Sequence, residues 1–168
     1  MSDWQMLTLV GEDRPGIVAR VTDALFRGGC NLGEASMIRL GGNFTIMMMV
    51  SGDGDIEAAL APVVAELGLR LHLDPIEGEL HRHQIPNIQV RVNGADRAGI
   101  VSQVTGVLAE HGFNILELES DVAGSPDRPV YIMNIQGISS TPLERLEQVL
   151  AALDDVDVSV SSIDTLIG

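Results

Sequence analysis

In the second half of the chain, Ile88, Val90 and Val92 alternate with Gln89, Arg91 and Asn93, which predicts a strand with one buried face. The period then changes. Ile100, Val101, Val104, Val107 and Leu108 recur at helical spacing and predict a helix ahead of Asn114. Leu116, Leu118 and Val122 alternate with Glu117, Glu119 and Asp121, which predicts a half-buried strand. A turn containing Gly124, Ser125, Pro126 and Asp127 leads into a second strand over Val130 to Gln136, so the two form a hairpin. Leu143, Leu146, Val149, Leu150 and Leu153 mark a second helix, and Val156, Val158 and Val160 a last strand. The predicted order is βαββαβ.

The first half predicts the same order. Its strands are expected at Leu7 to Val10, Leu32 to Leu40, Asn43 to Val50 and Leu69 to Leu73. Its helices are expected at Gly16 to Arg27 and Ile56 to Glu66, with Gly41 and Gly42 turning the hairpin. The two halves also share residues. Asp13-Arg14-Pro15-Gly16 returns as Asp96-Arg97-Ala98-Gly99, and the offset of 83 positions that carries Gly11 onto Gly94 also carries Val21, Thr22, Leu25, Gly29, Asn31 and Glu34 onto Val104, Thr105, Leu108, Gly112, Asn114 and Glu117. The chain is one unit written twice. Strands that alternate on one side only leave each sheet a face opposite its helices that is wet or covered by a partner.

The repeated tetrad falls at a strand-to-helix turn. Asp13 or Arg14 followed by Pro15 reads as a helix start, where the first amides have no intrahelical partner and, with the helix dipole, can hold a carboxylate. Gly16 and Gly99 have no Cβ and let a ligand or another backbone approach closely. Asn31 and Asn114 follow the helix, and an amide side chain offers the donors and the acceptor that a zwitterion requires. The competing explanation is structural: Asp and Pro start the helix, Gly29 and Gly112 end it, and the asparagines close a turn. A duplicated fold duplicates its caps, so repetition alone does not choose.

These features resemble the ACT domain over nearly the whole chain. The resemblance is carried by the βαββαβ order, by Gly-x-Asp-Arg-x-Gly-Ile-Val at the first strand-helix turn, and by Gly-x-Asn followed by Leu or Ile at the start of the second strand. It implies an α+β fold of two ferredoxin-like βαββαβ (ACT) domains in tandem, with residues 1–78 as the first domain, 79–86 as a linker within the polar stretch Glu77 to Pro86, and 87–168 as the second. ACT domains of this kind bind amino acids at interfaces between domains, through the first strand-helix loop and the residues opening the second strand. Carried over, the ligand-binding candidates are Glu12, Asp13, Pro15, Gly16, Ile17 and Asn31 in the first unit. In the second they are Ala95, Asp96, Ala98, Gly99, Ile100 and Asn114. The second unit departs from the first at Ala98, where Pro15 stands in the other loop, so its loop is less rigid and the two sites are not expected to bind equally.

Composition narrows the partners. With 24 acidic and 10 basic side chains in 168 residues the net charge is −14, and the surplus is the same in both halves. Neither half has a basic face to neutralise phosphates, so direct nucleic-acid binding is not expected. Every cation is arginine, and without lysine there is neither Schiff-base chemistry nor a phosphate-loop lysine. The single cysteine, Cys30, cannot form an internal disulfide, the start of the chain has no basic segment followed by an apolar run, and the apolar stretch Ile46 to Val50 is too short to span a bilayer. A cytoplasmic protein without membrane association is expected.

Other residues invite chemistry but lack company. His81 and His83, with His72 upstream, could bind a metal, yet the only thiol is distant in sequence and a solvated linker explains them as well. Cys30 reads as a small turn or core residue. Met47, Met48 and Met49 point alternately to opposite faces of a strand and cannot converge on a soft metal, so core filling is the better account. Asp53, Asp55 and Glu57 have the wrong spacing for a calcium loop and suit a helix start. No nucleophile, base and orienting group recur together, so no catalytic residues, cofactor or metal are expected. The expectation is a non-catalytic regulatory protein that senses a small amino acid, glycine or a near relative, and acts on a protein partner such as a DNA-binding transcription factor. It is expected to be a homodimer or higher oligomer. The alternative is a purely structural adaptor with an empty loop.

Overall fold

A computed structural model of the chain describes residues 3–77, 84–95 and 99–164. The chain forms two compact units, 1–81 and 82–168, each with its own core. The first consists of β1 (Gln5–Glu12), α1 (Ile17–Arg27), β2 (Asn31–Leu40), β3 (Asn43–Ser51), α2 (Ile56–Leu67) and β4 (Arg70–Pro75). The second repeats this as β5 (Ile88–Ala95), α3 (Ile100–Glu110), β6 (Asn114–Ser125), β7 (Arg128–Ile138), α4 (Leu143–Ala151) and β8 (Val156–Ser162). Each is a four-stranded antiparallel sheet, in the order β2-β3-β1-β4 or β6-β7-β5-β8. The element order agrees with the periodicity throughout. Most of the expected 79–86 linker, and with it His81 and His83, lies outside the described residues.

Period 2 and period 3.6 meet in the cores. Leu7 and Leu9 on β1, with Phe44, Ile46, Met48 and Val50 on β3, are buried under Ile17, Val21 and Leu25 of α1 and Ile56 and Leu60 of α2. In the second unit Val90, Val92, Met133 and Ile135 are buried under Ile100, Val104 and Leu108 of α3 and Leu146 and Leu150 of α4. Local signals also behave as their chemistry requires. The Asp55 carboxylate accepts the Ala58 N–H at 3.0 Å and caps α2, as the helix-start reading of that acidic cluster demands. Gly29 and Gly112 have φ of +73° and +68° just past α1 and α3, which a glycine enters without steric cost.

Two expectations need correction. The alternation in β6 predicted a half-buried strand, yet every position of β6 but Ile115 is exposed, as is every position of β2. Both are edge strands, with a neighbour on one side only, and each is broken by a bulge, between Leu32 and Ala35 and between Ile115 and Glu117. Core filling also fails for two of the methionines. Met48 joins the helix-covered core, whereas Met47 and Met49 lie on the face away from the helices, Met47 exposed and Met49 buried there.

Candidate functional site

The turn between β1 and α1 is built from three bonds. Asp13 N–H donates to the Gly42 carbonyl at 3.0 Å, which ties the turn to the β2–β3 hairpin. The Asp13 carboxylate meets the Arg39 guanidinium of β2 at 2.5 Å. Arg14 pairs with Glu12 at 3.2 Å. Gly16 then serves as the N-cap of α1 with φ +85°, and a Cβ there would touch nothing, so glycine is required by the backbone angle and not by crowding. Asp13 was a candidate helix cap. It is not one: α1 has no side-chain cap, because the helix begins two residues after Pro15 and the Asp13 carboxylate is drawn across to β2. The first intrahelical bond runs from Arg20 N–H to the Gly16 carbonyl, leaving the amides of Ile17, Val18 and Ala19 ahead of it.

Beside this turn is a cavity of about 200 Å³. Asp13, Arg14 and Gly16 form its rim, Val18 and Ala19 one wall, Met37 of β2 another, and the buried Ile17 and Phe44 its floor. An acidic group, uncapped helix amides and an apolar floor converge there. Such a site can take a small molecule with a charged head and a short apolar part. A wider hollow of about 480 Å³ lies on the outer surface between α1 and α2. Its charges are paired, Arg27 with Asp23 at 3.0 Å and Arg20 with Glu66 at 2.9 Å, as Asp13 is with Arg39 at the turn, but its lining includes no helix N-terminus, so it is the poorer candidate for a carboxylate.

Of the candidates, Asp13, Gly16 and Ile17 meet at the first turn, with Glu12 and Pro15 adjacent in sequence. Asn31 does not join them. It opens β2 opposite Ser51, whereas the turn follows Glu12, which is opposite Asn43 at the other end of the sheet. The 11 residues of α1 separate the two ends by about 16 Å. Asn114 likewise opens β6 opposite Ile138, far from the turn that follows Ala95 opposite Val130, and its amide donates to the Gln84 side chain at 3.1 Å. In the second unit Gly99 is the N-cap of α3 with φ +100°, and Ile100 is buried behind it. Asp96 and Ala98 lie outside the described residues.

Arg39 was not singled out from the sequence. The signal that could have found it is strand parity: Arg39 shares a face with Met37, two positions away, and both look toward the helices at the edge of the site. Cys30 is buried in the first core, and burial pushes its thiol pKa up, which disfavours the thiolate and suits a packing residue. His72 pairs with Asp74 at 3.0 Å. Among the described residues no group of three or more His, Cys, Asp and Glu could hold a metal ion, and no helix is long and apolar enough to cross a membrane.

Comparison with known proteins gives this geometry a lineage. The chain is 28% identical over 156 residues to the glycine cleavage system transcriptional repressor of Escherichia coli K12, covering 88% of this chain and 82% of that protein. A crystal structure of an unknown protein from Galdieria sulphuraria superposes with a TM-score of 0.77 at 24% identity, covering 98% of this chain and 100% of the other. Another, described as a candidate glycine cleavage system transcriptional repressor, superposes with a TM-score of 0.72 at 23% identity, covering 98% and 99%. These two likenesses establish the fold. The ACT domain matches twice, over residues 6–74 and 88–157, which between them span most of the chain. The protein therefore belongs to the ACT-domain family, and carries two such domains in tandem.

Proposed function

We propose that this is a non-catalytic regulatory protein that senses a small amino acid and passes the signal to a protein partner in the control of amino-acid metabolism. The observation that carries the reading is the cavity of about 200 Å³ at the β1–α1 turn, where Asp13 and the uncapped amides of α1 stand ready for an ammonium and a carboxylate. Its size suits glycine or a slightly larger amino acid. The relationship to a glycine cleavage system transcriptional repressor supports a regulatory role in the cytoplasm, with a DNA-binding transcription factor as the partner, since a chain of net charge −14 is a poor ligand for DNA.

Asn31 enters this reading only through assembly. Lying at the far end of its own sheet, it can meet an effector at an Asp13 turn only if that turn belongs to another ACT domain, as in a homodimer or higher oligomer. The effector would then stabilise the arrangement that completes its site and couple binding to assembly. The second reading, a structural adaptor, is favoured by one observation: β2 and β6 are long edge strands exposed at nearly every position, available for pairing with another chain.

A thermal-shift screen of the twenty amino acids against the full-length protein separates the two. A specific shift is expected, followed by calorimetry in which Asp13→Asn and Asn31→Ala each weaken binding by about tenfold to a hundredfold, the loss of one polar partner of a charged ligand. A melting temperature unmoved by any amino acid at millimolar concentration would leave the adaptor reading standing.

A further inference from the structure

We propose that Arg39 selects the effector by its carboxylate, and that it does so in the first domain alone; the inference rests on the amino-acid reading above. Arg39 lies opposite Phe44 in the β2–β3 ladder, and Phe44 floors the cavity at the β1–α1 turn. Met37, two residues earlier on the same face, lines that cavity. The guanidinium therefore reaches the rim, where it meets the Asp13 carboxylate at 2.5 Å.

That pair is open to exchange. The side chains are 65% and 29% exposed, and ion pairs so accessible to water contribute little to folding. An amino-acid zwitterion carries the complementary charges side by side. Entering between the two groups, it gives its ammonium to Asp13 and its carboxylate to Arg39, whose planar fork accepts a carboxylate through two parallel N–H donors. The uncapped amides of α1 face the same developing cluster. A ligand with an amine but no carboxylate would leave Arg39 unsatisfied.

The second domain lacks this cation. The repeat offset places Val122 where Arg39 stands, and the ladder agrees, since Val122 is opposite Tyr131, itself opposite Gly94, just as Arg39 is opposite Phe44, itself opposite Gly11. Valine cannot hold a carboxylate. The first domain is thus the carboxylate-selective one, independently of the change from Pro15 to Ala98.

Calorimetry on the full-length chain tests this with glycine against glycinamide, and with any other of the twenty amino acids that binds against its own amide. The wild-type chain is expected to bind the acid at least about tenfold more tightly than the amide. Arg39→Gln should weaken the acid at least about tenfold and leave the amide within about twofold, closing the gap between them, and Arg39→Lys should reopen part of it. A residue that merely positioned the turn would weaken acid and amide together. Arg39→Gln retaining the wild-type preference, or equal binding of acid and amide by the wild-type chain, overturns the role of Arg39 while the amino-acid reading stands. A wild-type chain that binds none of the twenty overturns both.

Discussion

The two domains agree in their interiors and part company on the sheet face that their helices leave open. Leu7, Leu9, Val21, Leu25, Ile46 and Met48 in the first core have Val90, Val92, Val104, Leu108, Met133 and Ile135 at the same ladder and helix positions in the second, apolar for apolar. On the open face, Met6, Val10, Ile38, Met47 and Met49 of the first domain correspond to Gln89, Asn93, Asp121, Asn134 and Gln136 of the second. Gln89 and Asn134 are even joined by a hydrogen bond of 2.7 Å. Two helices packed on a sheet tolerate only residues that fill the space at near-crystalline density, so the duplicated core has stayed apolar. The open face makes no such demand. Its divergence, like the replacement of Arg39 by Val122, marks where the domains are free to serve different ends.

The largest effect tests whether the cores are equivalent. Leu25→Ala and Leu108→Ala each empty a fully buried position in the last turn of a helix, and each should cost its own domain about 2 to 5 kcal/mol. Hydrogen exchange resolved by domain should show matching losses. A loss confined to one substitution would break the equivalence.

Next is the gain of a missing cation. Val122→Arg in a chain whose first site is disabled by Arg39→Gln should raise the affinity of the second domain for the acid by about tenfold, or ~1.4 kcal/mol. Calorimetric titration of the double variant reads it directly. No gain would place the difference between the domains elsewhere, in the turn that contains Ala98.

A smaller effect concerns the open faces. Ile38→Asn and Asp121→Ile exchange the characters of two exposed edge positions, and each should change stability by no more than about 0.5 kcal/mol in urea unfolding. A cost near that of a core substitution would mean that one of these faces is covered in solution.

The smallest effect is a pH dependence peculiar to the first domain. Arg20 of α1 hydrogen-bonds and attracts Glu66 of α2, holding the Glu66 carboxyl below the usual carboxylate range, and the offset puts Gln103 where Arg20 stands. A carboxylate whose folded pKa is lowered contributes stability above its unfolded pKa, near 4.3, and loses it as the pH falls through the folded value. Glu66→Gln should therefore flatten the acid limb of the first domain's stability slightly below about pH 4.5 and leave the second domain unchanged. Both side chains are exposed, so the change is expected to be slight, and unfolding profiles from pH 3 to 6 would detect it.

Much of this architecture was legible along the chain because it rests on local periodicity. The switch between periods 2 and 3.6 located every strand and helix, and the repeat offset of 83 tied the two turns and the helices that follow them together within the sequence. Gly29, Gly112 and Asp55 were readable for the same reason: a cap or a left-handed residue answers to its own few neighbours. Three things depended on the assembled fold. The exposure of β2 and β6 follows from being at the sheet edge, which alternation along a strand does not encode. The separation of Asp13 from Asn31 follows from an antiparallel ladder that sends the two ends of α1 to opposite ends of the sheet. The meeting of Asp13 with Arg39, 26 positions apart, needed the β2–β3 hairpin to fold back over the first turn, a contact fixed by strand register and hairpin geometry rather than by any pattern near either residue.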